Sequence, residues 1–199
     1  MTAPVVDPAA LALSWLPGPA DPDRPQITVA TVDADGGPDA RTVLLTAADD
    51  RGFAFHTDAR SRKAAQIAAE PRVAIVVLWP LFTRQLVIRG VASPVDPAEA
   101  RAAYLSRSPY LQQLAWQNTR ELAVLPRAER VAAWGRFPAE HPDAHGPDGP
   151  EPPPTWTGFL VRPTRLTFWE SDSETASRRR EFSRPSPDAE EWVEEHLPG

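Results

Sequence analysis

The feature of the sequence that most constrains the fold is a succession of five short segments rich in β-branched and aromatic residues. Turn signals such as DGGPD and DDRG separate them, and this spacing predicts an antiparallel sheet or a small barrel. Two of the segments, RTVLL and AIVVLW, are apolar on both faces, which is typical of strands inside a closed barrel or at an interface. The five predicted strands cover residues 26–34, 40–47, 52–58, 72–79 and 84–93.

Helical patterns surround these strands. Residues 8–16 predict a short amphipathic helix, and SRKAAQIAAE predicts another that begins after Ser61 and ends before Pro71. DPAEARAAYLSRS, SPYLQQLAWQ and RAERVAAWGRF predict three more, and a final strand pair, GFLVR and RLTFWES, would turn at Pro163-Thr164. Residues 138–154 contain seven prolines and no apolar stripe, so we predict a mobile loop there. The predicted class is mainly β with flanking helices (α+β), in a single domain over residues 1–199.

Composition narrows the possible functions. The chain has no cysteine, which excludes disulfides and thiolate chemistry, and its net charge of −6 argues against a nucleic-acid surface. No apolar run is long enough to span a membrane and the N-terminus lacks a signal-peptide pattern, so we expect a soluble cytoplasmic protein with a small-molecule partner. His141 and His145 have no third ligand in view, so no metal site is predicted.

Lys63 is the only lysine in the chain, and it follows Arg62 at the start of the helix predicted after Ser61. Cations in the first turn oppose the helix dipole by about 0.3–1 kcal/mol each. One explanation is a phosphate seat, in which backbone N–H groups, the Ser61 hydroxyl, a guanidinium and an ammonium meet one anion. The alternative is that both side chains extend into water.

The segments ARTVLL, GFAFHTDARSRKAAQIAAEPRVAIVVLWP, RQLVIRGVAS and TWTGFLVRPTRLTFWE together resemble the pyridoxamine 5'-phosphate oxidase family, over roughly residues 8–198. Flavin oxidases of phenazine biosynthesis share a similar FHTDxRSRK run. The resemblance implies an FMN-binding split β-barrel and a homodimer with FMN at the subunit interface. It also implies that residues 170–199 contribute to dimerisation and to cofactor contacts.

The resemblance further implies which residues bind FMN. Arg62 and Lys63 match the residues that hold the phosphate, with help from the match to Arg41, and Gln85 matches a contact to the isoalloxazine ring. Arg107 and Tyr104 are the predicted substrate contacts. The predicted cofactor contacts are Arg41, Thr42, Val43, Leu44, Leu45, Thr46, His56, Thr57, Ser61, Arg62, Lys63, Gln85, Trp169 and Arg179.

The chain departs from the family pattern at its substrate residues. Thr46 stands where the family has a lysine that binds the substrate phosphate, and the segment Thr175-Ala176-Ser177 replaces an Arg-x-His signature. Ala103 and Leu111 replace a tyrosine and a serine, and Arg120-Glu121 falls where a Gln-Ser pair completes the cofactor site. Each lost charge-assisted bond is worth about 1.5–3 kcal/mol. We therefore expect a substrate other than pyridoxine or pyridoxamine 5'-phosphate.

The sequence thus predicts an FMN-dependent oxidoreductase that acts on a small heterocyclic or amine-bearing molecule, in secondary metabolism. Three alternatives stay open. The chain could be a genuine pyridoxine/pyridoxamine 5'-phosphate oxidase with rearranged contacts, a deazaflavin-dependent reductase, or a flavin-binding protein without turnover.

Overall fold

The computed structural model describes residues 6–17, 25–141 and 151–199. In these ranges it contains helices, strands and one 3-10 turn at Pro80–Phe82. The helices are α1 (Pro8–Trp15), α2 (Arg62–Ala69), α3 (Pro97–Leu105), α4 (Pro109–Gln117), α5 (Arg120–Ala123) and α6 (Arg127–Glu140). The strands are β1 (Gln26–Val32), β2 (Pro38–Leu44), β3 (Ala47–Asp49), β4 (Gly52–Asp58), β5 (Arg72–Leu78), β6 (Arg84–Pro94), β7 (Trp156–Glu170), β8 (Arg178–Ser183) and β9 (Val193–Pro198).

The strands form one sheet in the order β2-β1-β5-β6-β7-β4-β3, with β8 paired to β7 and β9 paired to β8. The pairs β1–β2, β1–β5, β3–β4, β5–β6, β6–β7, β7–β8 and β8–β9 are all antiparallel. The mainly β class with flanking helices is therefore confirmed. All five predicted strands are present, with ends within three residues of the predicted ones, and so are the five predicted helices.

The chain divides into two compact units, which are described separately. The sheet unit comprises Met1–Phe55, Arg62–Pro94 and Phe159–Gly199, and the helical unit comprises His56–Ser61 and Val95–Gly158. The sheet unit has an apolar core that includes Ile75 and Ile88, both fully buried. Alternation in β5, where every second residue is buried, places one face of that strand in this core.

The helical unit is organised by helix caps that the sequence supplies directly. Asp96 accepts from the backbone N–H of Ala98 at 2.8 Å to start α3, and Ser108 accepts from that of Leu111 at 3.4 Å to start α4. Both helices carry proline as their first residue, where its missing N–H costs nothing. These caps explain why the helical patterns could be located from sequence.

The predicted turn at Pro163-Thr164 is wrong, because β7 runs unbroken through both residues. The pairing with β6 matches Gly90 with Pro163 and Arg89 with Arg165, so Thr164 is an extra residue opposite no partner. Its hydroxyl donates to the carbonyl of Arg89 at 3.3 Å. A bulge tolerates proline within a strand, which is why the Pro-Thr pair shifts the register without ending the strand.

Other segments also differ from the prediction. Strands β8 and β9 and the short helix α5 were not predicted. Of the predicted loop 138–154, residues 138–140 belong to the end of α6. Pro138 lies in the last turn of that helix. The helix therefore continues past a proline, a residue that usually ends a helix. Residues 142–150 lie outside the described part of the chain.

Gly52 gives a test of this architecture. Its φ of +148° and the 2.2 Å that would separate an added Cβ from the carbonyl oxygen of Val161 leave no room for a side chain. We expect Gly52→Ala to lower the free energy of unfolding by about 2–4 kcal/mol. In the control Gly135→Ala nothing lies within 4 Å of the added Cβ, so helix propensity should raise stability by about 0.5–1 kcal/mol. Urea unfolding measures both changes, and a Gly52 variant as stable as wild type would contradict the close contact between Gly52 and Val161.

Candidate functional site

The first turn of α2 carries Arg62 and Lys63 and no acidic residue. The Arg62 side chain is 82% exposed, and the carboxylate it faces is Asp39, whose Oδ2 lies 3.8 Å from Nη1. The predicted cations therefore do lie at the positive end of a helix of eight residues. An anion bound there would meet favourable charge from the side chains and from the helix dipole together.

Arg41, predicted to help with the cofactor phosphate, is already engaged. Its Nη1 donates to the Thr31 hydroxyl at 2.7 Å and to the carbonyl of Val29 at 3.2 Å. Its Nη2 donates to Gln66 Oε1 at 2.8 Å and meets Asp39 Oδ2 at 2.8 Å. Arg41 thus links β1, β2 and α2 through its two terminal nitrogens.

Asp39, Thr31 and Gln66 complete this network, and sequence reasoning did not select any of them. Gln66 Nε2 donates to Asp39 Oδ2 at 3.0 Å, and the Thr31 hydroxyl donates to Gln66 Oε1 at 2.6 Å. The Gln66 hydrogen bond and the neighbouring guanidiniums hold the pKa of Asp39 below its usual value. A signal was available for Gln66, which follows Arg62 by four residues and so shares its helix face.

The predicted ring contacts fall in one row across three strands. Gln85 of β6 is directly opposite Trp169 of β7, and Trp169 is directly opposite Arg179 of β8. Residues directly opposite each other in antiparallel pairs project from the same face. The Trp169 indole also donates to the Ser177 hydroxyl at 2.9 Å, so a residue of the segment that departs from the family pattern orients this ring.

A cavity of about 690 Å³ opens beside this segment in the sheet unit. Trp15 and Phe168 form apolar walls, and Thr175 and Ser177 contribute small side chains. Arg180 also lines the cavity, with its guanidinium paired to Glu194. Its volume lies in the range of small-molecule pockets, roughly 300–1,000 Å³.

In the helical unit, the predicted substrate residue Arg107 lies over an aromatic stack. Its guanidinium carbon is 4.7 Å from the centroid of the Trp156 ring, and Trp156 stacks on His56 with centroids 5.4 Å apart. The Trp156 indole donates to the carbonyl of Ala100 at 2.8 Å, which fixes the ring. Sequence reasoning missed Trp156, because an aromatic residue at the start of a strand has no distinctive pattern.

Arg107 has no counter-charge among the described residues. Its Nε is buried and makes no hydrogen bond to any of them, and none of their carboxylates pairs with it. Burial lowers the pKa of the guanidinium. A buried cation held on aromatic rings, with an unmade hydrogen bond, is suited to an anionic ligand.

Tyr104, the other predicted substrate contact, is fully buried. Its hydroxyl accepts from the Trp116 indole at 3.1 Å and lies 3.5 Å from the carbonyl oxygen of Gln112. Its ring meets Trp156 edge-on, with centroids 5.6 Å apart. The structure gives Tyr104 a packing role beside the aromatic stack, and a contact with substrate stays a prediction.

The remaining predicted residues occupy defined positions. Thr42, Val43 and Leu44 lie in β2, and Leu45 and Thr46 follow it, with the Thr46 hydroxyl donating to the carbonyl of Ala54 at 3.0 Å. In the helical unit, the Thr57 and Ser61 hydroxyls are 3.3 Å apart. The residues that fall in the helical unit are His56, Thr57, Ser61, Tyr104, Arg107, Arg120 and Glu121, the last two in α5.

His56 provides a prediction about pH. Burial and then the charge of Arg107 lower its pKa from 6.5 to about 4. Between these values the unfolded chain binds a proton that the folded chain does not, so stability is complete above pH 6.5 and falls as the pH drops toward 4. We expect His56 to account for about 3 kcal/mol of that loss. Urea unfolding of wild type and His56→Gln across this window measures it, and an NMR titration giving an ordinary histidine pKa would contradict it.

The described residues contain no group of three or more histidine, aspartate or glutamate side chains placed to hold a metal ion. None of the helices in residues 6–17, 25–141 and 151–199 is both long and apolar enough to cross a membrane.

Solved structures resemble this chain along most of its length. One is the PhzG protein of Burkholderia lata 383, solved in complex with tetrahydrophenazine-1-carboxylic acid (TM-score 0.75, 21% identity, 96% of this chain and 88% of that one). Another is a pyridoxamine 5'-phosphate oxidase-related, FMN binding protein of Nostoc punctiforme PCC 73102 (TM-score 0.68, 23% identity, 87% of both chains). These likenesses define the chain as a split β-barrel protein, which confirms the predicted fold.

The sequence comparisons then give the family. The family model for pyridoxamine 5'-phosphate oxidase matches residues 22–170. A curated pyridoxine/pyridoxamine 5'-phosphate oxidase of Caulobacter vibrioides is 38% identical over 185 residues, covering 89% of this chain and 80% of the relative. One of Anaeromyxobacter dehalogenans is 40% identical over 149 residues, covering 75% and 73%. The chain belongs to the pyridoxamine 5'-phosphate oxidase family.

Proposed function

We propose that this chain is an FMN-dependent oxidoreductase acting on a small heterocyclic or amine-bearing molecule. The observation that carries the proposal is the row of Gln85, Trp169 and Arg179 on one sheet face. An amide offers both donor and acceptor to ring heteroatoms, an indole packs against a flat ring, and a guanidinium balances negative charge. These three residues fit an isoalloxazine ring, and bound FMN supplies hydride transfer.

The phosphate end of FMN has its own support in the sheet unit. Arg62 and Lys63 occupy the first turn of α2, where the helix dipole alone would disfavour them. A phosphate monoester carries about −1.5 to −2 charges at neutral pH and so compensates both cations. We propose that these two residues hold the phosphate.

The substrate is proposed to carry an anionic or polar group that meets Arg107, because that guanidinium is buried without a carboxylate partner among the described residues. We propose a substrate other than pyridoxamine 5'-phosphate. The Thr46 hydroxyl donates to the carbonyl of Ala54, and the small residues Thr175 and Ser177 line an open cavity. The lysine, arginine and histidine that the family has at these positions are absent. Their absence supports a different substrate, which we propose belongs to secondary metabolism.

A genuine pyridoxine/pyridoxamine 5'-phosphate oxidase is the second candidate, favoured by what the relatives at 38–40% identity are called. Turnover separates the two. If the purified protein oxidises pyridoxine 5'-phosphate with ordinary efficiency and releases hydrogen peroxide, the second candidate replaces the first. If it binds FMN and leaves that substrate unchanged, the first is supported.

The cofactor proposal is tested by the absorbance spectrum of the purified protein. An FMN spectrum supports it, and a deazaflavin spectrum, or no retained chromophore and no binding of added FMN, overturns it. Bound FMN that no candidate donor reduces and oxygen does not reoxidise would leave a flavin-binding protein without turnover.

We also propose that the working form is a cytoplasmic homodimer with residues 170–199 at the interface and beside the cofactor. Val43 and Leu44 of the edge strand β2 are only partly buried within one chain, which supports burial by a partner. Light scattering of the purified protein measures its mass against 21.8 kDa for one chain.

A further inference from the structure

The two terminal nitrogens of Arg41 contact four groups of the same chain. Nη1 donates to the carbonyl of Val29 and to the Thr31 hydroxyl, and Nη2 donates to Gln66 Oε1 and forms an ion pair with Asp39 Oδ2. To donate to a phosphate through Nη1, Arg41 would have to give up a hydrogen bond of this partly buried network. Arg41 is therefore built to hold other residues in place.

We propose that Asp39, Arg41 and Gln66 are positioning residues for the cofactor's phosphate, and that they fix the first turn of α2 so that Arg62 and Lys63 select FMN over riboflavin. The inference rests on the proposed function, since it concerns the same phosphate. In this proposal Arg41 contributes to the phosphate site by supporting Arg62 and Lys63.

The geometry explains how the support reaches the cations. Gln66 is 5% exposed, lies one turn after Arg62 on the same face of α2, and bonds to Arg41 and Asp39 on β2 and to Thr31 on β1. One buried amide thus fastens the helix to two strands. A seat whose cations are held before binding loses less conformational entropy when the anion arrives.

Asp39 also sets the charge of the seat. The three cations Arg41, Arg62 and Lys63 contribute +3 and Asp39 contributes −1, which leaves +2 (3 − 1 = 2). A phosphate monoester carries about −1.5 to −2 charges, so the group is close to neutral when phosphate is bound. The seat therefore matches a phosphomonoester, and riboflavin, which lacks the phosphate, gains nothing from it.

The experiment measures the dissociation constants of FMN and riboflavin by quenching of flavin fluorescence, for wild type and Gln66→Leu. We expect FMN to bind about tenfold more weakly in the variant while riboflavin binding changes by less than about twofold. Gln113→Leu is the matched control, since Gln113 is a glutamine of similar burial, 8% exposed, in the helical unit. It should leave the ratio of the two constants at the wild-type value.

A double-mutant cycle with Lys63→Ala tests the positioning role itself. If Gln66 acts through the cations, its effect on the FMN-to-riboflavin ratio should largely disappear once Lys63 is removed. If the double variant instead changes the FMN-to-riboflavin ratio by the product of the two single effects, the residues act independently and the inference is overturned. If Gln66→Leu does not fold, Thr31→Val removes one hydroxyl of the same network and should shift the ratio in the same direction.

The two proposals fail differently. Wild-type protein that does not prefer FMN to riboflavin would overturn the proposed function and with it this inference. Wild-type protein that prefers FMN, together with an unchanged ratio in both Gln66→Leu and Thr31→Val, would overturn the inference alone.

Discussion

Lys63→Ala is expected to weaken FMN binding by about 10- to 150-fold and to leave riboflavin binding nearly unchanged. The ammonium lies in the first turn of α2, and a charge-assisted hydrogen bond to phosphate is worth about 1.5–3 kcal/mol. Protein purified without added flavin should lose its yellow colour. Isothermal titration with FMN and with riboflavin measures the two affinities.

Arg72→Ala is the matched control for this prediction. Arg72 follows the other end of the same helix and is paired with Glu70 at 2.6 Å, so its removal deletes one cation of the sheet unit outside the proposed seat. FMN affinity should stay within about twofold of wild type in this variant. If FMN affinity fell equally in both variants, the overall positive charge of the sheet unit, and not the N-terminus of α2, would hold the phosphate. Unchanged affinity in Lys63→Ala would remove the phosphate seat altogether.

Arg107→Met is expected to weaken the binding of anionic substrates while stabilising the protein or leaving its stability unchanged. The guanidinium is buried over Trp156 and has no carboxylate partner among the described residues, so the folded chain bears the cost of burying a charge. Methionine fills a similar volume and adds no charge. Affinity for an anionic ring ligand that the wild type binds should fall by about 10- to 150-fold.

Arg101→Met separates this effect from loss of any arginine in the helical unit. Arg101 lies in α3 and is paired with Glu151 at 2.6 Å on the surface. Its removal should cost at most about 1 kcal/mol of stability and should not affect ligand binding. Competition measured by tryptophan or flavin fluorescence, with urea unfolding alongside, gives both quantities. A large loss of stability in Arg107→Met would show that the residue supports the fold and does not bind a ligand.

Strand and helix positions could be predicted because their signals are local. Turn residues separate β1, β2, β4, β5 and β6, and Asp96 and Ser108 mark the starts of α3 and α4. The Pro163-Thr164 pair carried an equally strong local signal and was misinterpreted. Whether such a pair makes a turn or a bulge depends on the neighbouring strand, which is remote in sequence.

The candidate site was predictable to the extent that it depends on residue identity. The family motifs pointed to Gln85, Trp169 and Arg179, and antiparallel pairing aligns them. The motifs could not reveal that Arg41 donates hydrogen bonds to Thr31 and Gln66, because those contacts join three separate elements. The support of Arg107 by Trp156 is hidden for the same reason, since 49 positions (156 − 107 = 49) separate the two residues.

The extra residue at Thr164 determines the parity of β7. Before it, odd-numbered residues such as Phe159 and Val161 are buried, and after it the buried residues are even-numbered, Leu166 and Phe168. Deleting Thr164 would exchange the two faces of the C-terminal half of the strand, turning Trp169 toward the core and Phe168 outward. Because of this one extra residue, the odd-numbered side chains before Thr164, such as Phe159 and Val161, pack in the core. The odd-numbered side chain of Trp169, which follows it, lies on the face where we propose that the flavin binds.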